Sequence, residues 1–140
     1  MQVIGFNFTK ISAEREQNLK PTAMNTNIEF TNLESQKMDI LKEADALKIS
    51  FKYSIDYGEE KKKAPLPGKI DFEGFIVVSA EKKESKELQK AWKKKSLPNT
   101  AKIPLFNLIL RKCAAKSLQL QEDINLPSHI PIPKIKPKQE

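Results

Sequence analysis

Apolar and polar residues alternate without a break over residues 47–57. Leu47, Ile49, Phe51, Tyr53, Ile55 and Tyr57 fall on one side, and Lys48, Ser50, Lys52, Ser54 and Asp56 on the other. A period of two is that of a strand with one buried and one wet face. Residues 69–79 predict a second strand. Ile70 and Phe72 alternate with charged residues, whereas Phe75-Ile76-Val77-Val78 is apolar on both faces and calls for cover on both sides. Between them, residues 58–68 read as a charged, proline-bearing turn, so the pair predicts a long antiparallel hairpin. Ile4, Phe6 and Phe8 alternate with Gly5, Asn7 and Thr9 and predict a strand over residues 2–11. The polar stretch 12–25, with Pro21, reads as a loop, and Ile28 and Phe30 suggest a short strand over 27–31.

The period then lengthens. Leu88, Ala91 and Trp92 have helical spacing within residues 84–95, with Glu84 and Glu87 near the start and Lys93-Lys94-Lys95 at the end, as the helix dipole favours. Leu97-Pro98-Asn99 breaks that helix. A longer one is expected over 103–120, where Pro104 falls in a tolerated early position. Its stripe Ile103, Phe106, Leu110, Cys113, Ser117 and Leu120 is widened by Leu105, Leu108 and Ile109, which implies burial on more than one side and an oligomer interface through Phe106, Ile109, Leu110 and Cys113. From Leu126 onward prolines alternate with Ile130, Ile132 and Ile135, which predicts an extended arm, with residues 136–140 disordered. The domain reading is a single α+β unit over 1–126 and a proline-rich basic arm over 127–140.

Composition narrows the chemistry. The formal net charge is +7 and charged residues make up 31%, which suits acidic partners and equally serves solubility alone. The lone Cys113 allows no internal disulfide and fits a reducing compartment. No apolar run approaches the roughly 20 residues that span a bilayer. The opening Met1-Gln2-Val3-Ile4-Gly5 lacks a signal-peptide pattern, so a cytoplasmic protein is expected.

His129 is the one histidine, so no triad or histidine-rich metal site is available within a chain, and an exposed structural role between prolines is expected for it. Cys113, on an apolar stripe, reads as core and not as a nucleophile. Asp71 and Glu73 share a strand face expected to be wet. No glycine-rich phosphate loop occurs. The expectation is therefore a non-enzymatic binding protein with no cofactor and no metal.

The order of these pieces resembles the SecB family of export chaperones. Ile4-Gly5-Phe6-Asn7-Phe8-Thr9-Lys10-Ile11-Ser12 looks like that family's opening strand. Gly74-Phe75-Ile76-Val77 resembles the apolar close of its last strand, Leu97-Pro98-Asn99 the Pro-Asn before its long helix, and Ile124-Asn125-Leu126-Pro127 the exit from that helix. The resemblance implies a four-stranded antiparallel sheet, a connecting helix, a long interface helix and a homotetramer built as a dimer of dimers. It also implies an ATP-independent holdase that takes up unfolded or nascent polypeptides, with a place in protein export. The client-binding residues expected on this reading are Phe6, Phe8, Phe75, Val77, Trp92, Ile130 and Ile132. Two departures stand out. SecB proteins are acidic and dock the translocation ATPase SecA through acidic surfaces, whereas this chain is basic. The family's short C-terminal helix is replaced by the proline-rich arm.

A second reading comes from another class. Lys82, Lys83, Lys86, Lys90, Lys93, Lys94 and Lys95 suit phosphate contacts in a ribosome- or RNA-associated protein, although no arginine fork or RNP-type aromatic pattern accompanies them.

Overall fold

The computed structural model describes residues 1–20, 22–36, 44–59 and 66–137. Four strands, β1 (Gln2–Arg15), β2 (Met24–Gln36), β3 (Ala44–Tyr57) and β4 (Gly68–Glu81), precede α1 (Lys82–Lys93) and α2 (Asn99–Asp123). The strands form one antiparallel sheet in the order β1-β4-β3-β2. The α+β class, with its four-stranded sheet, connecting helix and long helix, is therefore the observed one. Most of the expected turn at 58–68, including Glu60-Lys61-Lys62-Lys63, lies outside the described residues, as does the end of the arm at 138–140.

The two edge strands run longer than their sequence pattern suggested, and bulges are the reason. In β1 the register shifts between Val3 and Gly5 and again between Phe8 and Lys10. Each extra residue resets the period of two. Val3, Phe6, Phe8, Ile11 and Ala13 consequently pair with Val78, Ile76, Gly74, Phe72 and Ile70 of β4 and share the face of the core. Ile4, expected on that face, is instead the residue inserted at the first bulge. In β2 a shift between Phe30 and Asn32 brings Leu33 opposite Ile49, onto the same face as Ile28 and Phe30. The expected loop at 12–25 shrinks to the connection between Arg15 and Met24.

The central strands supply the core. Leu47, Ile49, Phe51, Tyr53, Ile55 and Tyr57 of β3, with Ile70, Phe72, Ile76 and Val78 of β4, are almost wholly buried. Gly74 sits among them because a Cβ there would meet the Asn7 carbonyl and come within 2.9 Å of the Phe51 ring. The space that it leaves is filled by aromatics. Phe6 lies 5.1 Å from Phe8 and 5.3 Å from Phe51, and Phe8 lies 5.5 Å from Phe72.

Both helices cover this one face. α1 buries Ser85 and Leu88. α2, 25 residues long, buries Ala101, Leu105, Ile109, Cys113, Ser117 and Gln121, an unbroken i, i+4 row. An i+4 row drifts around a straight helix, so α2 meets the sheet along a slanted line and not on a broad face. Both helices end in the same way. After α1, the Ser96 N–H reaches the Ala91 carbonyl and Lys95 is left-handed, at φ 61°; after α2, the Leu126 N–H reaches the Gln121 carbonyl and Asn125 has φ 55°. These are Schellman closures, with lysine and asparagine where glycine is the usual residue.

Among the described residues the opposite face of the sheet carries no helix, and it is mostly polar. Asp71 departs from the expected wet environment. It is 8% exposed, crowded between Ser12 of β1 and Ser54 of β3, with the Lys69 ammonium 3.8 Å from its carboxylate.

Candidate binding surfaces

The residues expected to bind clients fall on separate surfaces. Phe6 and Phe8 are brought together, half-buried, on the helix side of edge strand β1. Val3 and Ile11, on the same face, are 42% and 46% exposed. An apolar strip thus runs along a strand whose outer backbone edge carries no partner among the described residues. Phe75 and Val77 lie on the other, helix-free face, half-buried between their neighbours, with the Lys48 ammonium 4.5 Å over the Phe75 ring. Ile130 and Ile132, at 38% and 59% exposure, lie in the arm. Trp92 packs half-buried against the core at the end of α1.

Of the residues expected at an oligomer interface, Ile109 and Cys113 are fully buried against the chain's own sheet. A side chain already enclosed in its own chain has no surface left for a partner. Leu110 is 41% exposed, and Phe106 is half-buried, stacked on Phe30 at 4.6 Å and 25°. The outward face of α2 also carries Ile103, at 56% exposure, which the interface set left out. Burial pushes the Cys113 thiol up to about 12, so it is held protonated.

Two depressions meet at the connection between the helices. One, of about 330 Å³, lies between β2 and the start of α2 and is lined by Phe30, Trp92, Leu97 and Phe106, with Lys95 and Lys102 beside them. The other, of about 410 Å³, is lined by Ala91, Leu97 and Pro98, with Lys90 and Lys94. The pairing of Phe30 with Phe106 joins residues far apart in sequence and was not legible there.

The far end of α2 is closed by polar contacts. The Arg15 guanidinium donates to the Ile124 and Asn125 carbonyls at 3.3 and 2.6 Å, a cation at a helix C-terminus. Gln121 Nε2 donates to the Tyr57 hydroxyl at 2.7 Å, and that hydroxyl donates to the Pro127 carbonyl at 2.5 Å. His129 Nδ1 lies 3.1 Å from Gln121 Oε1. The Gln121 amide is turned toward Tyr57, so its oxygen is the acceptor and Nδ1 carries the proton. His129 is thus half-buried, where an exposed position was expected, because Gln121 anchors the first turn of the arm. Burial lowers its pKa. The same burial raises the Tyr57 phenol.

All seven lysines of the run from Lys82 to Lys95 are exposed. Among the described residues no group of three or more His, Cys, Asp or Glu is placed to hold a metal, and no helix is long and apolar enough to cross a membrane.

No protein-family model matches the sequence, and comparison with curated proteins gives no significant match. Among solved structures, the chain is similar to the SecB-like chaperone Rv1957 of Mycobacterium tuberculosis, solved in complex with a ChAD peptide from the Rv1956 HigA1 antitoxin. The match covers 98% of this chain and 92% of that one, at 15% identity and a TM-score of 0.49. It is a likeness of arrangement at low identity.

Proposed function

We propose that this chain is an ATP-independent holdase that binds unfolded or nascent polypeptides through apolar surface. The observation that carries the reading is the β1 strip. Phe6 and Phe8 are half-buried and Val3 and Ile11 exposed, beside a backbone edge with no partner among the described residues. Apolar burial is non-directional and suits clients of many sequences, while strand addition at the edge supplies hydrogen bonds that any backbone can make. Phe75, Val77, Ile130 and Ile132 are further contacts on this reading. Bulges near both ends of the strip keep such an edge from free self-pairing.

Assembly into a homotetramer is part of the same reading. Its contact is assigned to the outward residues of α2, Leu110 with Ile103. Leu110→Asp should then shift the oligomer to smaller species on sizing with light scattering, and an unchanged mass would remove α2 from the interface. A cytoplasmic location and a role in export belong to this proposal as well.

The test is suppression of aggregation of a chemically unfolded model protein at low and high salt. Substoichiometric suppression that survives salt supports the holdase. No suppression at several-fold excess overturns it. The exposed lysine face of α1 supports a second reading, contact with RNA or the ribosome, which should weaken steeply as salt rises.

A further inference from the structure

The groove between β2 and the α1–α2 junction combines three features. Its lining is mixed: Ile28, Phe30, Trp92, Leu97 and Phe106 supply apolar side chains, set among Glu29 and Ser96. Its rim is cationic, with Lys95 and Lys102 beside it, the Lys102 ammonium 5.6 Å from the Phe106 ring centre, and Lys90 and Lys94 beside the adjoining hollow. Its third wall is edge strand β2, whose outer backbone is unpaired among the described residues. The β2 edge runs without irregularity from Met24 to Phe30 and is then interrupted by the bulge before Asn32. An added strand is therefore limited to a short segment ending beside Phe30, where a side chain can drop into the groove.

We infer that this groove docks a short extended peptide segment in which an apolar anchor is flanked by aspartate or glutamate. The apolar anchor fills the space over Trp92 and Phe106, the backbone pairs with β2, and the flanking carboxylates meet Lys95 and Lys102 on one side and Lys90 and Lys94 on the other. The inference rests on the polypeptide-binding reading and adds to it a second site and a client chemistry.

Nucleic acid fits less well. Phe30 and Phe106 already stack on one another, so each has one face committed. Glu29 and Glu87 lie among the lining residues, where they would repel a continuous phosphate backbone. The chain's arginines, Arg15 and Arg111, lie elsewhere.

Trp92 is the one tryptophan of the chain, so its emission reports on the groove directly. The experiment titrates the full chain with three ten-residue peptides that share a Leu-Phe anchor flanked by Glu, Gln or Lys. It follows Trp92 emission and, in parallel, suppression of aggregation. The Glu peptide should bind about fivefold more tightly than the Gln peptide at low salt, from two exposed ion pairs, and the Lys peptide more weakly than either. The gap should close at high salt. The double variant K95Q/K102Q should cut the Glu preference to about twofold, and replacing Lys90 and Lys94 with Gln as well should erase it.

Equal binding of all three peptides, or no change in Trp92 emission beside intact aggregation suppression, would overturn the inference and leave the holdase standing. Tight Glu-peptide binding without aggregation suppression would support the inference and overturn the holdase. Tighter binding by a ten-nucleotide oligouridylate would assign the groove to RNA. An emission change that follows protein concentration alone would assign it to a second copy of the chain. Either of the last two results overturns the inference.

Discussion

The two ends of α2 are built on opposite principles. At the C-terminal end the contacts are polar and directional. Arg15 holds the last carbonyls, and Tyr57, Gln121, Pro127 and His129 are joined through hydroxyl, amide and imidazole. At the N-terminal end a stacked Phe30–Phe106 pair and Trp92 border an open groove. Hydrogen bonds tolerate little change of angle, so the first end has one arrangement. Apolar contact has no preferred direction, so the second end tolerates different occupants. A helix fixed at one end and loosely walled at the other holds its register while leaving room for a ligand.

The largest expected effect tests that asymmetry. Tyr57→Ala removes a fully buried ring and the hydroxyl at the centre of the polar network. It should cost about 3–5 kcal/mol by urea unfolding, as for other buried aromatics. Phe106→Ala removes a half-exposed ring and should cost less than about 2 kcal/mol. Equal costs would mean that the two ends are equally ordered, and the contrast would fail.

The contrast also marks what could be read from sequence. The central strands were legible because β3 alternates without interruption, and both helices because their spacing is regular. The edge strands read short, ending at Ile11 and Thr31, because the bulges put Ile11 with Ala13, and Leu33, out of phase with the residues before them, although all three lie on the core face. Site residues were legible only as types. An apolar side chain on α2 reads alike whether it faces the sheet, as Ile109 and Cys113 do, or solvent, as Leu110 does. Trp92 was named from its type. Phe30 beside it, and the polar set around Gln121, depend on contacts between residues distant along the chain.

Gln121→Leu keeps the bulk of the side chain but leaves the Tyr57 hydroxyl without its donor and His129 without its acceptor. The expected cost is about 1–3 kcal/mol. Limited proteolysis with trypsin should show faster cleavage in the arm at Lys134, since the arm loses its anchor. Unchanged cleavage would show that Arg15 and the Pro127 carbonyl suffice to hold it.

The two left-handed closing residues offer a finer comparison. Lys95→Gly, beside the groove, relieves a side chain at φ 61° and should stabilise by about 1 kcal/mol. Asn125→Gly, at the polar end, should gain only a few tenths, because asparagine already tolerates this conformation. Thermal unfolding of the two variants measures the difference. A larger gain at Asn125 would place the greater backbone strain at the closed, hydrogen-bonded end.

The smallest effect is a pH response confined to the C-terminal end. Burial lowers the folded-state pKa of His129 below its unfolded value of 6.5. Between those two values the unfolded chain binds more protons than the folded one, so stability rises with pH. The contribution is complete above pH 6.5 and is lost as pH falls through the folded pKa. The effect stays small because His129 is only half-buried and its Nδ1–H bond to Gln121 survives protonation at Nε2. His129→Gln should flatten this part of the stability profile, while Phe106→Ala should leave its slope unchanged. Amide hydrogen exchange at pH 5.5 and 7.5 localises the response. Faster exchange at low pH near Gln121 and Leu126, with none near Phe106, would confirm that the titrating contact belongs to the closed end, whereas a response spread along α2 would show that the two ends are coupled.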